Sequence, residues 1–213
     1  MIDLLNQLAQ VHRTVAQEPA GNPDDVIRVT LRRRYPTDPA DLFDALTRPE
    51  RLARWFSPIT GDLRAGGSFQ IENNAGGEIL DCRPPARLRI TFGGASSIVT
   101  VSLASVGSDA GTVTELTLEH TVPLALAGSV AGALFAGPGW DEALIGLWLH
   151  LDRPDADRVA TLDTEAGREW AHRIVLVWAD VARAAGAPPD QLEAGRQAAL
   201  AQFAPHVLAG RPT

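Results

Sequence analysis

The chain has 213 residues, of which 45% are apolar and 21% charged, as in an ordinary globular protein. This composition excludes disorder, collagen and coiled coil for the chain as a whole, and the length suits one domain with an appendage. All 19 basic residues are arginine, against 26 acidic residues, which gives a net charge of −7. The lack of lysine excludes Schiff-base chemistry, pyridoxal phosphate on a lysine, Walker A loops and kinase sites. The acidic balance argues against nucleic acid as a partner.

Three features bear on the compartment. The single cysteine, Cys82, cannot form an internal disulfide, and the N-terminal residues lack the basic and apolar regions of a secretion signal. We therefore expect a cytoplasmic protein. Between Thr121 and Trp140 no residue is charged, and this segment is long enough to cross a bilayer. Its glycines and prolines and its lack of basic flanks predict a mobile apolar loop and no membrane span.

The N-terminal third begins with apolar residues at helical spacing over 2–17, which predicts a short amphipathic helix. Residues 26–35 alternate between apolar and polar and predict a half-buried strand. The arginine run at 32–34 lies in this strand, where consecutive side chains point to opposite faces. We therefore favour a solvated strand end over an anion site for these arginines.

Two short helices and a set of strands follow. An N-cap with proline at the first helical position predicts a helix over 38–46, and a Thr47–Glu50 capping box predicts another that ends near 56. Beyond them, β-like runs alternate with glycine- and proline-rich turns and predict an antiparallel meander. These five runs are residues 67–73, 77–82, 87–92, 97–106 and 112–122.

The C-terminal part is predicted to be helical. Residues 139–151 carry their large apolar side chains on one face, and 164–185 show a second such stripe. A polar, proline-containing linker is predicted between them at 152–163. A last helix is predicted from Asp190 to just before Pro205.

Five motifs follow one another along the predicted strands and helices. They are Thr47-x-Pro49-Glu50-Arg51-Leu52-x-x-Trp55-Phe56-x-Pro58, Gly61-Asp62-Leu63-x-x-Gly66-Gly67-x-Phe69, Gly77-x-Ile79 with Pro84-Pro85-x-x-Leu88, Leu116-x-Leu118-x-His120, and Gly137-x-Gly139-Trp140-Asp141-x-x-Leu144. With these motifs in this order, the chain over about residues 26–151 resembles the START-like helix-grip (SRPBCC) superfamily, and within it the branch related to the C-terminal domain of the activator of the heat-shock-protein-90 ATPase. The flanking helices resemble extensions in a bacterial, high-GC branch.

The resemblance implies an α+β fold in which a curved antiparallel sheet grips the helix 139–151 around an apolar cavity. It divides the chain into an N-terminal helix and linker (1–25), the helix-grip domain (26–151) and a C-terminal helical extension (152–213). Superfamily members bind small hydrophobic molecules in the cavity, and some catalyse cyclisation or hydrolysis. Chaperone activation carries over less well, because the heat-shock activator also needs an N-terminal domain.

From this fold we expect a small hydrophobic ligand and neither a cofactor nor a metal. Binding without catalysis is our leading interpretation. A polyketide cyclase or hydrolase using His120 as acid or base, and a module that binds a chaperone or regulator, are the alternatives. Residues 121–140 are expected either to cover the cavity or to form a homodimer contact. The predicted ligand-binding residues are Trp55, Phe69, Ile71, Leu88, Phe92, Val101, Leu116, Leu118, His120, Trp140, Leu144 and Trp148.

Other reactive side chains have plainer interpretations. Glu72 and Glu78 lie on adjacent predicted strands and could form an acid–base pair, but solvated carboxylates are favoured. Cys82 lies in an apolar strand and is predicted to be an inert thiol. The tryptophans could line a ligand site or fill the core. The remaining histidines lack the spacing of a metal pair, and these are His12, His150, His172 and His206.

Overall fold

The computed structural model describes residues 3–19, 25–107 and 112–209. It is an α+β structure in which one curved antiparallel sheet of eight strands packs against helices. The strands lie in the order β1-β2-β8-β7-β6-β5-β4-β3. They are β1 (His12–Glu18), β2 (Val26–Tyr35), β3 (Ile59–Gly61), β4 (Ser68–Ile71), β5 (Gly76–Arg83), β6 (Arg87–Thr91), β7 (Ile98–Ser105) and β8 (Thr114–Pro123).

One short helix precedes β1, a pair of helices follows β2, and the remaining helices follow β8. Helix α5 is the long helix gripped by the sheet, and α7 and α8 pack against it. The helices are α1 (Leu4–Ala9), α2 (Pro39–Thr47), α3 (Pro49–Trp55), α4 (Leu124–Ala127), α5 (Ala133–Asp152), α6 (Arg158–Leu162), α7 (Glu165–Ala184), α8 (Pro189–Phe203) and α9 (Pro205–Ala209).

The predicted meander is confirmed. The runs predicted at 67–73, 77–82, 87–92, 97–106 and 112–122 correspond to β4 through β8, and each pairs with its neighbour in the chain. The strand predicted at 26–35 is β2, and it extends the meander by pairing with β8. The three-residue strand β3 was not predicted, because so short a segment offers no period to detect.

The helix predicted over 2–17 is wrong beyond Ala9. Residues 12–18 form β1, which pairs with β2 along its whole length, from His12 opposite Arg32 to Glu18 opposite Val26. The buried residues Val11 and Val15 are four apart, a spacing that fits both a helical face and one face of a strand. The free edge of β2 decides between the two, because it offers a full ladder of backbone hydrogen bonds.

The mobile loop predicted within 121–140 is also wrong. Strand β8 continues to Pro123, α4 and a 3₁₀ turn at Val130–Gly132 follow, and α5 begins at Ala133, six residues before the predicted start at 139. Gly137 and Pro138 therefore lie inside a helix. A Cβ at residue 137 would lie 2.5 Å from the Trp178 ring, so the glycine allows α5 and α7 to approach closely.

Two smaller predictions about helix ends are corrected. The capping box at Thr47 does not form, because the Thr47 hydroxyl donates to the Phe43 carbonyl at 2.7 Å and Arg48 is the N-cap of α3. The predicted linker at 152–163 contains the short helix α6, which is capped by the Asp157 side chain. Helices α7 and α8 form where predicted. In the described part of the chain, no helix is both long and apolar enough to cross a membrane.

A buried ion pair joins three parts of the chain. The carboxylate of Asp141 on α5 accepts hydrogen bonds from Arg13 Nε at 2.8 Å and Arg13 Nη2 at 2.6 Å. It also accepts one from Trp178 Nε1 on α7 at 2.7 Å. Only 6% of the Arg13 side chain and 1% of the Asp141 side chain are exposed. The N-terminal strand, the central helix and the C-terminal extension are thus tied together at one carboxylate.

Candidate functional site

An apolar cavity of about 160 Å³ lies between the sheet and helices α2, α3 and α5. The predicted residues that line it are Trp55, Phe69, Ile71, Leu88, Phe92, Val101, Leu116, Leu118, Trp140 and Leu144. The lining residues that we did not predict are Phe43, Leu46, Thr47, Leu52, Phe56, Ser57, Ile59, Leu63, Ile79, Cys82, Ile90, Val99, Ala143 and Leu147.

Strand pairing explains why the sheet residues share one cavity. Leu88 on β6 lies opposite Val101 on β7, which in turn lies opposite Leu118 on β8. Residues directly opposite each other in a ladder point to the same face of the sheet. Ile90 and Val99 are another such pair, and the alternation of β6 and β7 could have identified both.

The walls of the cavity carry almost no polar groups. Among the described lining residues, only Thr47, Ser57 and Cys82 have polar side chains, and none is charged. Burial, and then the nearby Asp81 carboxylate, raise the pKa of the Cys82 thiol above its ordinary value. The thiol therefore stays protonated near neutral pH and is a poor nucleophile, as predicted.

His120 does not line the cavity, contrary to the prediction, although it is buried at 6% exposure on the inner face of β8. Trp140 covers it: the indole Nε1 donates to His120 Nδ1 at 3.1 Å. On the other side of the ring, His120 Nε2 lies 2.8 Å from the Ser97 hydroxyl oxygen. Alternation along β8 puts His120 on the same face as Leu116 and Leu118, but which neighbours cover it depends on tertiary packing.

The Trp140 contact determines the tautomer of His120. An indole N–H can only donate, so Nδ1 must accept and the ring proton must be on Nε2. Nε2 therefore donates to Ser97 and cannot take a proton from its hydroxyl. Burial lowers the pKa of His120 to about 4, which keeps the ring neutral at physiological pH. His120 thus holds Trp140, which forms part of the cavity wall.

Trp148 is the other predicted residue that lies outside the cavity. It borders a separate polar groove beside α1, and its ring lies 5.7 Å from the Arg33 guanidinium carbon. Trp140, by contrast, stacks at a tilt on Phe92 with ring centroids 5.1 Å apart, and both rings line the cavity. Trp140 and Trp148 are separated by about two turns of α5, and only the packing of the helix shows which of its faces meets the cavity.

The remaining titratable candidates form no site. Glu72 and Glu78 are both exposed, in line with the interpretation as solvated carboxylates. His150 lies 3.3 Å from Arg51 Nε, and burial, with the charge of Arg51, lowers the pKa of His150. In residues 3–19, 25–107 and 112–209, no three His, Cys, Asp or Glu side chains are grouped so that they could hold a metal ion.

The sheet, the gripped helix and the apolar cavity between them define a START-like helix-grip protein. The chain belongs to the family described as activator of Hsp90 ATPase homolog 1-like proteins, whose profile matches residues 36–148, more than half of the chain. The matched region covers α2, α3 and the meander and most of α5, which together build the cavity walls. No curated protein matches the chain significantly.

Solved structures give the same fold. The crystal structure of CalU16 from Micromonospora echinospora is 29% identical, with a TM-score of 0.64, and the match covers 81% of this chain and 98% of that chain. The solution structure of CalU16 matches with 25% identity and a TM-score of 0.58, covering 94% and 97%. EF2215 from Enterococcus faecalis shares the fold at 17% identity and a TM-score of 0.53, covering 79% and 91%.

Proposed function

We propose that the protein binds a small hydrophobic molecule in the cavity between sheet and α5, without chemical conversion. The observation that carries the proposal is the apolar wall, which has no charged side chain among its described residues. Such a wall favours an apolar ligand, because every polar group of a ligand would lose its hydrogen bonds to water on entry.

The size of the cavity limits the ligand. A volume of about 160 Å³ is close to that of a dry apolar cavity of roughly 150 Å³ that takes up benzene. It is below the roughly 300–1,000 Å³ of pockets for drug-sized ligands. We therefore propose a ligand that buries one or two fused rings, or an equivalent branched chain. A larger molecule would need to displace Leu63, whose side chain is 37% exposed at the edge of the cavity.

The cyclase or hydrolase alternative has less support. Acid–base catalysis needs a titratable group within hydrogen-bond reach of the reacting atoms. His120 is covered by Trp140, and its Nε2 proton is directed at Ser97. Cys82, the titratable group that does line the cavity, is held protonated.

The test is a binding measurement with naphthalene as the probe. Trp55 and Trp140 line the cavity, so their fluorescence should change when the probe enters. Ala143→Leu fills part of the cavity from α5 and should weaken naphthalene binding by roughly tenfold or more. Ala201→Leu makes the same change on the exposed face of α8 and should leave binding unaltered. Equal affinities in the two variants, or no saturable binding by the parent protein, would refute the proposal.

For the partner, we propose a second copy of this chain, which contacts the first through residues 121–140. Phe135 is 78% exposed and Leu126 71% exposed, so an apolar surface remains on this segment. Beside Phe135 lies a groove of about 240 Å³ between α4, the start of α5 and α8, lined by uncharged residues. A projecting ring next to an uncharged groove suits a two-fold contact, and it avoids charge repulsion between copies that each carry −7.

Sedimentation velocity tests the contact. We expect a dimer that dissociates in the Phe135→Asp variant, because a carboxylate cannot be desolvated in that groove without a partner. Val159→Asp is the matched control, since Val159 is 67% exposed on α6, away from the groove. A parent protein that stays monomeric at high concentration, or a Phe135→Asp variant that stays dimeric, would contradict the proposal.

A further inference from the structure

A polar groove of about 740 Å³ lies outside the cavity, where α1 passes over the end of β2. Strand β1 pairs with β2 only as far as Arg32, so the last residues of β2 have no strand on that side. The groove is lined by Asn6, Gln7, Ala9, Gln10, Val11, His12, Arg32, Arg33, Arg34, Pro36, Glu115 and Trp148. Its arginines, histidine and amides make it a basic and polar surface on an otherwise acidic chain.

Arg33 is the unusual member of the groove, since it is only 3% exposed. The sequence had predicted a solvated strand end for the run 32–34, and this holds for Arg32 and Arg34, which are exposed. Arg33 points to the other face, where its guanidinium lies 5.4 Å from the centre of the Tyr35 ring and 5.7 Å from that of Trp148. The prediction is therefore wrong for Arg33.

The hydrogen bonds of Arg33 are incomplete. Its Nη1 donates to the Gln7 carbonyl at 3.3 Å, and its Nη2 donates to the Gln7 side-chain oxygen. Its Nε is buried and has no hydrogen-bond partner in the described part of the chain. A guanidinium has five N–H donors and stays charged. The two neutral amide oxygens of Gln7 accept from two of these donors, but they do not neutralise the charge.

The local charge is also unbalanced. Arg13 binds both oxygens of Asp141 and leaves that carboxylate only a longer-range effect on Arg33. Glu115 is engaged with Arg34 at 3.1 Å. In the described part of the chain, the buried Arg13 thus has an ion-pair partner in Asp141, whereas the buried Arg33 forms no ion pair. A buried cation without its own counter-ion is costly, and a bound anion would remove that cost.

We infer that the groove beside α1 is a binding site for a small oxyanion, a carboxylate or a phosphate, with Arg33 as its main ligand. The guanidinium fork matches the geometry of either group. In the structure Gln7 presents its neutral oxygen to Arg33, and we infer that the anion takes over this contact. His12 and the exposed Arg32 at the rim of the groove would add further positive potential.

The test is an NMR titration of the full chain at pH 7 with sodium phosphate and, separately, sodium acetate, each against sodium chloride at equal ionic strength. The indole N–H of Trp148 and the side-chain amide of Gln7 report on the groove. We expect saturable shifts of these signals with at least one of the two oxyanions. The oxyanion that binds with the higher affinity identifies whether the site prefers a carboxylate or a phosphate. Shifts that do not saturate with either, or that chloride reproduces, would overturn the inference.

Three variants make the test specific to Arg33. Arg33→Gln should weaken oxyanion binding by roughly tenfold or more, since charge-assisted hydrogen bonds are lost. Arg89→Gln removes the same charge from an exposed position on β6 outside the groove and should change the affinity by less than about twofold. Equal losses in the two variants would show a general charge effect and overturn the inference.

Gln7→Glu covers the case in which Arg33→Gln does not fold. It places a carboxylate at the position of the Gln7 oxygen and so supplies the anion from within the chain. We expect a higher melting temperature without added phosphate and loss of saturable phosphate binding. A lower melting temperature, or phosphate binding as tight as in the parent protein, would contradict the inference.

Discussion

The ion pair of Arg13 with Asp141 allows a sharp test of how the flanking segments are held. In Asp141→Asn, one carboxylate oxygen becomes an NH₂ group. Whichever way the amide turns, this group meets a donor: Arg13 Nη2 on one side, or Arg13 Nε and Trp178 Nε1 on the other. The variant therefore loses hydrogen bonds and leaves Arg13 charged at 6% side-chain exposure.

Breaking a buried pair in this way costs about 3–5 kcal/mol. For a chain of this size, 1 kcal/mol shifts the melting temperature by roughly 2–4 °C, so we expect a decrease of roughly 6–20 °C. Urea and thermal unfolding followed by circular dichroism measure both quantities. Asp180→Asn is the control, because its partner Arg183 is on the surface, and it should cost less than about 1 kcal/mol.

A double variant separates the cost of leaving one buried charge unpaired from the net contribution of the ion pair to the free energy of unfolding. Arg13→Met combined with Asp141→Leu removes both charges and should be less destabilising than Asp141→Asn alone. If Asp141→Asn loses less than about 1 kcal/mol, the pair is not buried as the structure has it, and the reasoning fails.

Three further predictions concern α5 and the sheet face beneath it. Because burial lowers the pKa of His120 to about 4, its contribution to stability is complete above pH 6.5 and is lost as the pH falls toward 4. The stability advantage of the parent over His120→Gln should shrink by about 3 kcal/mol between pH 7 and 4 in urea unfolding; a constant difference would contradict this. Burial raises the pKa of Glu142 to about 6, so its contribution has the opposite sign and is lost as the pH rises from 4.5 through 6. Glu142→Gln should therefore stabilise the protein by up to about 2 kcal/mol at pH 7 and lose this gain below pH 4.5, which a pH series of melting temperatures would detect. Gly137→Ala should destabilise by about 1–3 kcal/mol through its clash with Trp178, whereas Gly139→Ala, whose Cβ would lie 3.6 Å from its nearest neighbour, should stabilise by about 0.5–1 kcal/mol. Thermal melts that move in the same direction for both glycines would refute this packing.

Part of the sheet side of the cavity was predictable because it is built from a repeating local pattern. Alternation along β6, β7 and β8 assigns Leu88, Val101 and Leu118 to one face, and the fold then turns that face toward α5. The signals for the lining residues of α2 and α3 are weaker, since a short helix shows barely two turns of its apolar face.

The N-terminal segment and the start of α5 could not be read from local pattern. Val11 and Val15 fit both a helix and a strand, and the free edge of β2 made the choice. Gly137 and Pro138 are residues that usually end helices, yet both lie inside α5. For Gly137 the reason is that α7 packs the Trp178 ring so close to α5 that only a glycine fits. In both places the contacts with a distant element stabilise the fold by more than the locally unfavourable conformation costs.

The sequence by itself determined the meander of β4 to β8, the helices α7 and α8, the apolar face of the sheet and the absence of lysine chemistry. These features could be predicted because hydrophobic periodicity is a local pattern in the sequence and composition can be counted without knowing the fold. Only the tertiary structure decided that Trp140 covers His120 and fixes its tautomer, and that Asp141 accepts hydrogen bonds from Arg13 and Trp178. It also decided that Arg33 Nε is buried without a hydrogen-bond partner among the described residues. Hydrogen bonds and charge pairs form between residues far apart in the chain, and their partners are known only once those residues are brought together.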